Sequence, residues 1–320
     1  MKKYFITTIY LCIIIAVGVV FYVLDSSHDY SSSQNENAKK FGVSFMTMNN
    51  PFFEVINESI KTTVSANGDE LMTRDPALDS DRQLAQIREM IDADVDGLFI
   101  CPVDFEKILP VIEEAKEKGI TIVLVDTAIY DESLADGVVV SDNYLAGAQC
   151  AQYLIEQKDS AKILILEHTR VRSGIDRVQG FIDALEDYPQ YEIVYRDDSE
   201  GQLEIAMPHT QKLIKEELDF DTVFAINDIS ALGAMGALED SGKLSEVSVL
   251  GVDGSPEAKA MIKENMMLAT SAQYPSKIGE DAVDLMYKIL KGEPYDKKIL
   301  VQVDLISKDN VDSFGIRSWQ

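Results

Sequence analysis

The sequence predicts an α/β protein of two doubly wound parallel-sheet lobes, preceded by one N-terminal transmembrane helix. Three observations carry the globular part. From Phe41 onward, short β-branched runs alternate with longer segments of helical period, the pattern of βαβ units that build a parallel sheet. The alternation runs through two successive series. About five parallel strands with helices on both faces already fill a domain, so two series mean two similar lobes rather than one long sheet. Finally, 320 residues at 46% apolar composition are enough to give two ordinary domains full cores.

The first series places strands near 41–47, 69–73, 97–101, 120–125 and 137–140, with helices near 51–66, 80–93, 104–118 and 143–157. The second places strands near 161–166, 191–196, 221–226, 247–251 and 267–272, with helices near 173–187, 202–218, 228–241, 255–265 and 275–291. Pro208 falls inside one of those helices and marks a kink or a restart. Gly119 and Gly242 follow helical segments where C-capping glycines belong.

Ahead of these series the chain reads Met1-Lys2-Lys3, an uncharged run from Tyr4 to Leu24, and then Asp25. About 20 apolar residues span a bilayer core, whereas a cleavable signal carries about 7–15. No small-x-small cleavage site follows, and Cys12 lacks the small residues a lipoprotein site would need before it. Residues 1–24 therefore read as an uncleaved signal anchor, with a long, atypical signal peptide as the alternative. Lys2 and Lys3 put the N-terminus in the cytoplasm and the bulk of the chain outside, at the cell membrane. Residues 25–40 are rich in Ser, Asn, Asp, Gln and Glu, a flexible tether with an r.m.s. span of about 20–25 Å.

Composition removes several functions. Lys plus Arg total 29 against 55 Asp plus Glu, a formal charge of −26, which repels nucleic acid and anionic headgroups. His28, His168 and His209 stand apart from metal-ligand spacings, and no GxSxG elbow, P-loop or dinucleotide GxGxxG occurs. Neither a metal nor a cofactor is expected. Gly233-Ala234-Met235-Gly236 reads as a close helix contact, and Cys101 and Cys150 as inert core thiols.

The positive signals lie where strands give way to helices, the edge at which an open α/β sheet binds ligands. Asn49-Asn50-Pro51-Phe52-Phe53 combines amides with two aromatics at a helix start, Pro51 suiting the first helical position. Adjacent helical residues point about 100° apart, so one of Phe52 and Phe53 faces the core and the other offers a flat apolar face to the cleft. Asp126 ends the run Ile120 to Val125, and Asp253 ends Val247 to Val252. A carboxylate pair supplies acceptors for vicinal hydroxyls. The bland reading of Asp253 is a helix cap, shared with Ser255. Asn227 ends a further strand with an amide that both donates and accepts, while Asp228 reads as the helix cap. Gln273 precedes Pro275, where the chain turns. Asp126 and Asp253 as the acid and base of a glycosidase is the weaker reading.

Taken together these stretches resemble the type I periplasmic solute-binding proteins, most closely the ribose-binding group. The resemblance covers nearly all of residues 41–310 and rests on Asn49 to Phe53, Asp96-Gly97-Leu98-Phe99-Ile100 with Pro102, Val125-Asp126, Ser141-Asp142-Asn143, Asn227-Asp228 with Ala231 to Ala234, Gly251-Val252-Asp253-Gly254, and Gln273. It implies a three-crossover hinge, with lobe one at 41–140 plus 274–302 and lobe two at 141–273 plus 303–320. It also implies that Asn50, Phe52, Phe53, Asp126, Asn227, Asp253 and Gln273 touch sugar.

Four departures alter the site, one of them Val252 in place of an aromatic, which argues for a differently shaped ligand. Met46 stands where a ribose binder has Ser, Thr127 where it has Arg after the strand-end Asp, and Ile175 where a lobe-two helix presents Arg. Only Arg170 and Arg172 are then left to offset two buried carboxylates, with Arg172 the expected ligand contact; otherwise the ligand must bring charge or donors. The expected function is a non-enzymatic receptor that clamps a monosaccharide or polyol and delivers it to an ABC permease. The alternative is a membrane-anchored sensor docking on a receptor histidine kinase or chemoreceptor.

Overall fold

The computed structural model describes residues 38–320, so the expected anchor and all but the last three residues of the expected tether lie outside the described residues, and Lys40 at the tether's end instead opens the first strand. Among the residues described, no helix is long and apolar enough to cross a membrane.

The elements of the first series are β1 (Lys40–Ser44), α1 (Pro51–Ala66), β2 (Glu70–Arg74), α2 (Ser80–Asp92), β3 (Gly97–Ile100), α3 (Leu109–Glu117), β4 (Thr121–Val125) and β5 (Gly137–Ser141). The second runs α4 (Asn143–Gln157), β6 (Ala161–Glu167), α5 (Arg172–Leu185), β7 (Tyr191–Asp198), α6 (Leu203–Lys215), β8 (Thr222–Ala225), α7 (Asp228–Asp240), β9 (Ser248–Asp253), α8 (Pro256–Lys263) and β10 (Ala269–Ala272). The chain ends with α9 (Pro275–Lys291), β11 (Lys298–Val301) and β12 (Asp304–Ser307).

They form two six-stranded sheets, ordered β11-β5-β4-β3-β1-β2 and β12-β10-β9-β8-β6-β7. Every pairing is parallel except β10 with β12. The chain leaves the first sheet after β5, returns after β10 as α9 packs on α1, and crosses again between β11 and β12. Neighbouring residues of the central strands enter opposite cores. Val123 and Val125 join one apolar cluster, whereas Ile122 and Leu124 join the other, because helices cover both faces of the sheet. In lobe two Phe181 of α5 stacks on Phe224 of β8 at 4.1 Å.

Local chemistry sets the element ends. Asn50, Asp79, Asp142, Asn227 and Ser255 each cap a following helix through a side-chain oxygen. Gly119 and Gly242 follow α3 and α7 with φ of +76° and +72°, the left-handed conformation a C-capping glycine supplies. The helix expected from 104 starts only at Leu109, because Asp104 Oδ1 accepts from the N–H groups of Glu106 and Lys107 and holds a turn there. Pro208 lies within α6 without dividing it. α4 and α5 touch backbone to backbone: a Cβ on Gly147 would lie 1.8 Å from the Arg177 carbonyl oxygen, and one on Gly180 1.9 Å from that of Tyr144. That approach carries Arg177 into the interior.

Candidate functional site

The cleft between the sheets is walled by the segments that follow strand ends, where open α/β sheets hold ligands. From lobe one come Met46, Asn50, Phe52, Phe53 and Asp126, and from lobe two His168, Arg177, Asn227 and Asp253 among others, with Gln273 at a crossing between lobes. The cavity is small, about 40 Å³, because the lobes meet directly along one rim. There Ser173 N–H donates to Thr127 Oγ1 at 2.9 Å, Phe105 N–H donates to the Arg170 carbonyl at 3.2 Å, and the Arg172 guanidinium sits 4.8 Å from the Tyr130 ring centre.

Asn50 Oδ1 is taken by Phe52 N–H at 3.0 Å, which fixes the amide at the head of α1. Phe52 and Phe53 do not divide between core and cleft as expected. Both are buried and both border the cavity, Phe53 against Phe45 and Phe52 against Trp319.

Asp126 and Asp253 close equivalent strands of the two lobes, and both have positive φ, +68° and +132°. Such conformations cost about 1–3 kcal/mol outside glycine and concentrate at functional sites. Asp126 Oδ2 accepts from the thiol of Cys101 at 3.5 Å, and Cys101 is, as expected, a free thiol buried in the lobe-one core. Asp253 Oδ1 accepts from Gln273 Nε2 at 2.6 Å, and Ser255, not Asp253, caps α8. Gln273 Oε1 is buried and unpartnered. Asn227 caps α7 through Ser230 N–H and donates Nδ2 to the Gly201 carbonyl. Asp228 is not the cap; it is fully buried and accepts from Ser255 N–H and Thr270 Oγ1, both at 2.7 Å.

The cation is Arg177, which corrects the expectation that only Arg170 and Arg172 were available. Its Nε donates to Asn143 Oδ1 and its Nη1 to the Ile226 carbonyl, both at 2.8 Å, and Nη1 lies 3.6 Å from Asp253 Oδ1. Arg172 instead pairs with Asp176 on its own helix, and Arg170 with Glu200. Neither Arg172 nor Thr127 lines the cavity; both belong to the seam between lobes, where Ile175 also packs on a lobe-one cluster. Arg177 lies two positions from Ile175, about 200° around the helix, so a change at one leaves the other free to enter the cleft. The readable sign was Gly180 inside a helix, since a mid-helix glycine calls for close packing there.

Burial pushes the Asp126 carboxyl up to about 6 against the pull of Arg177, and pushes Asp253 well above its ordinary range, with Asp228 adding to the rise. Burial likewise raises Asp228 to about 7 and lowers His168 to about 4. Each raised carboxyl binds a proton in the folded state before it would in the unfolded one, so it adds stability as pH falls through its raised value. His168 acts oppositely as pH falls below its ordinary 6.5. Three carboxyls against one imidazole predict a ligand-free protein more stable at pH 5 than at pH 7.5. Thermal melts across that range check this, and Asp126→Asn should flatten the slope.

Carboxyls, amides, an arginine and two aromatic rings thus face one cavity between the lobes. Residues 41–294 match the family model described as a periplasmic binding protein domain. The chain belongs to that family, in which it is ribose-binding-like. It is 30% identical over 277 residues to the ribose import binding protein RbsB of Bacillus subtilis, covering 86% of this chain and 89% of that one. It is 28% identical to the xylitol-binding protein of Mycolicibacterium smegmatis, covering 93% and 86%. A solved ABC transporter solute-binding protein from Mycobacterium smegmatis, with bound glycerol, superposes with a TM-score of 0.82 at 28% identity, covering 87% of this chain and 97% of that one. These relatives are binding proteins, and the chain is not an enzyme. Family membership implies an extracytoplasmic location.

Proposed function

We propose that the chain is an extracytoplasmic receptor that clamps a monosaccharide or polyol between its lobes and delivers it to an ABC-type permease. The observation that carries this reading is the imbalance of free acceptors over free donors beside an aromatic face. Asp126, Asp253 and the unpartnered Gln273 Oε1 offer acceptors to several hydroxyls, while Phe52 and Phe53 offer rings to C–H faces. Arg177 offsets the carboxyls, whose raised values draw them toward neutrality, so the site favours an uncharged ligand. Asn50, Asn227 and Met46 complete the contacts. The closing bodies are residues 41–140 plus 274–302 and residues 141–273 plus 303–320.

Support from relatives points the same way, since their names include ribose, xylitol and D-allose binders. A thermal-shift screen against pentoses, hexoses, sugar alcohols and amino sugars tests the reading. Ligand at a hundred times its Kd should add about 2.7 kcal/mol, worth on the order of 5–10 °C. No shift with any neutral sugar or polyol would sink it. The uncharged run from Tyr4 to Leu24 favours a second reading, a membrane-held sensor reporting closure to a receptor kinase. Ligand uptake unchanged when the protein is removed, together with ligand-dependent signalling that is lost with it, would select this second reading.

A further inference from the structure

Beyond β12 the chain forms a short turn, and Phe314 and Ile316 pack into a lobe-two core cluster. The last residues then return to the ligand cleft. Lys259 of α8 is fully buried, and its ammonium donates to the Ser318 carbonyl at 2.6 Å and to Gln320 Oε1 at 2.9 Å. These two oxygens hold a buried charge that would be costly to leave bare. Gln320 Nε2 donates to the carbonyls of Asp253 and Gln273, at 2.9 and 2.6 Å. Gly254 keeps the space open, since a Cβ there would lie 2.5 Å from Gln320 Nε2. Between these anchors Trp319 turns away from lobe two and meets Phe52 of lobe one edge-on, ring centres 5.6 Å apart.

We propose that residues 318–320 are a strap by which lobe two grips lobe one at the ligand site. Trp319 is a positioning residue for Phe52, and Gln320 one for the Asp253 and Gln273 backbone. Ligand-driven closure and the seating of Trp319 on Phe52 are then one event. This rests on the reading of the cleft as the ligand site. The strap touches three cavity-lining residues through their supports without lining the cavity itself.

Trp319 is the only tryptophan in the chain, so its emission reports the strap directly. The full chain and its Trp319→Ala, Trp319→Phe and Gln320→Ala variants are titrated with xylitol, glycerol, ribose and myo-inositol, with binding read by calorimetry and emission read in parallel. Wild-type emission should shift as a bound probe saturates. Trp319→Ala should weaken that probe about tenfold, the upper range for a lost aromatic pair, while Trp319→Phe should stay within about twofold. Should Trp319→Ala fail to fold, Gln320→Ala, which keeps the ring, takes its place with the same expected loss. Calorimetric binding with unmoved emission, or unchanged affinity in the variants, overturns the strap. If no probe binds the wild type, the functional reading fails, and ligand-free scattering decides on the strap. A larger radius of gyration in Trp319→Ala than in wild type supports it, and equal radii overturn it.

Discussion

Arg177→Met should cost about 3–5 kcal/mol of stability and abolish ligand binding, because removing one partner of a buried ionic group leaves the others uncompensated. Asp126 and Asp253 are both buried, and Arg177 is the cation that lowers the carboxyl of each. Its loss would also orphan the Ile226 carbonyl and Asn143 Oδ1. Urea unfolding with the midpoint and slope both recorded measures the effect. Adding Asp253→Asn should recover part of the loss, since it removes one of the stranded carboxyls. A single variant as stable as wild type would show that Arg177 does not balance the site.

Asp253→Asn alone should have opposite effects on binding and stability. Affinity should fall about tenfold, the scale of one hydrogen bond lost where an amide nitrogen replaces a carboxyl oxygen. Stability should hold or rise, because the carboxyl is kept at a cost that burial and the neighbouring Asp228 impose. Asparagine matches aspartate in size and shape, so the backbone at +132° is no harder to hold in the variant. Calorimetric titration and thermal melts on the same preparation read both quantities. A variant that loses stability along with affinity would mark Asp253 as a structural anchor and not a ligand group.

The fold was legible because its strands are buried on both faces and its helices carry capping residues where the period changes. The run from Ile120 to Val125 and the caps Asn50 and Asn227 show this clearly. Strands β11 and β12 were not marked. Each is four residues long, and Leu300 is exposed in β11, so periodicity over such short runs is weak. The cavity walls at Met46, Asn50, Phe52, Phe53, Asp126, Asn227, Asp253 and Gln273 could be located because each sits just beyond a strand end or at the next helix start. Arg177 could not. It lies within a helix, and its place depends on how closely α4 and α5 approach at Gly147 and Gly180. Thr127 and Arg172 had the right neighbourhood but the wrong partner. Each makes its contacts across or beside the seam between lobes, which depends on how the lobes close and not on local pattern. Trp319 and Gln320 gave no sign at all, since a tail of no regular period shows nothing of what it docks on.

The central claim is that one uncharged polyhydroxy ligand binds between the lobes on Asp126, Asp253 and Arg177. Calorimetric titration of the full chain with neutral polyols and sugars, beside an amino sugar of matched size, tests it most directly. The account predicts a neutral ligand bound at one per chain, with heat absent in Arg177→Met. Binding by the amino sugar alone, or neutral-ligand heat that survives Arg177→Met unchanged, would contradict it.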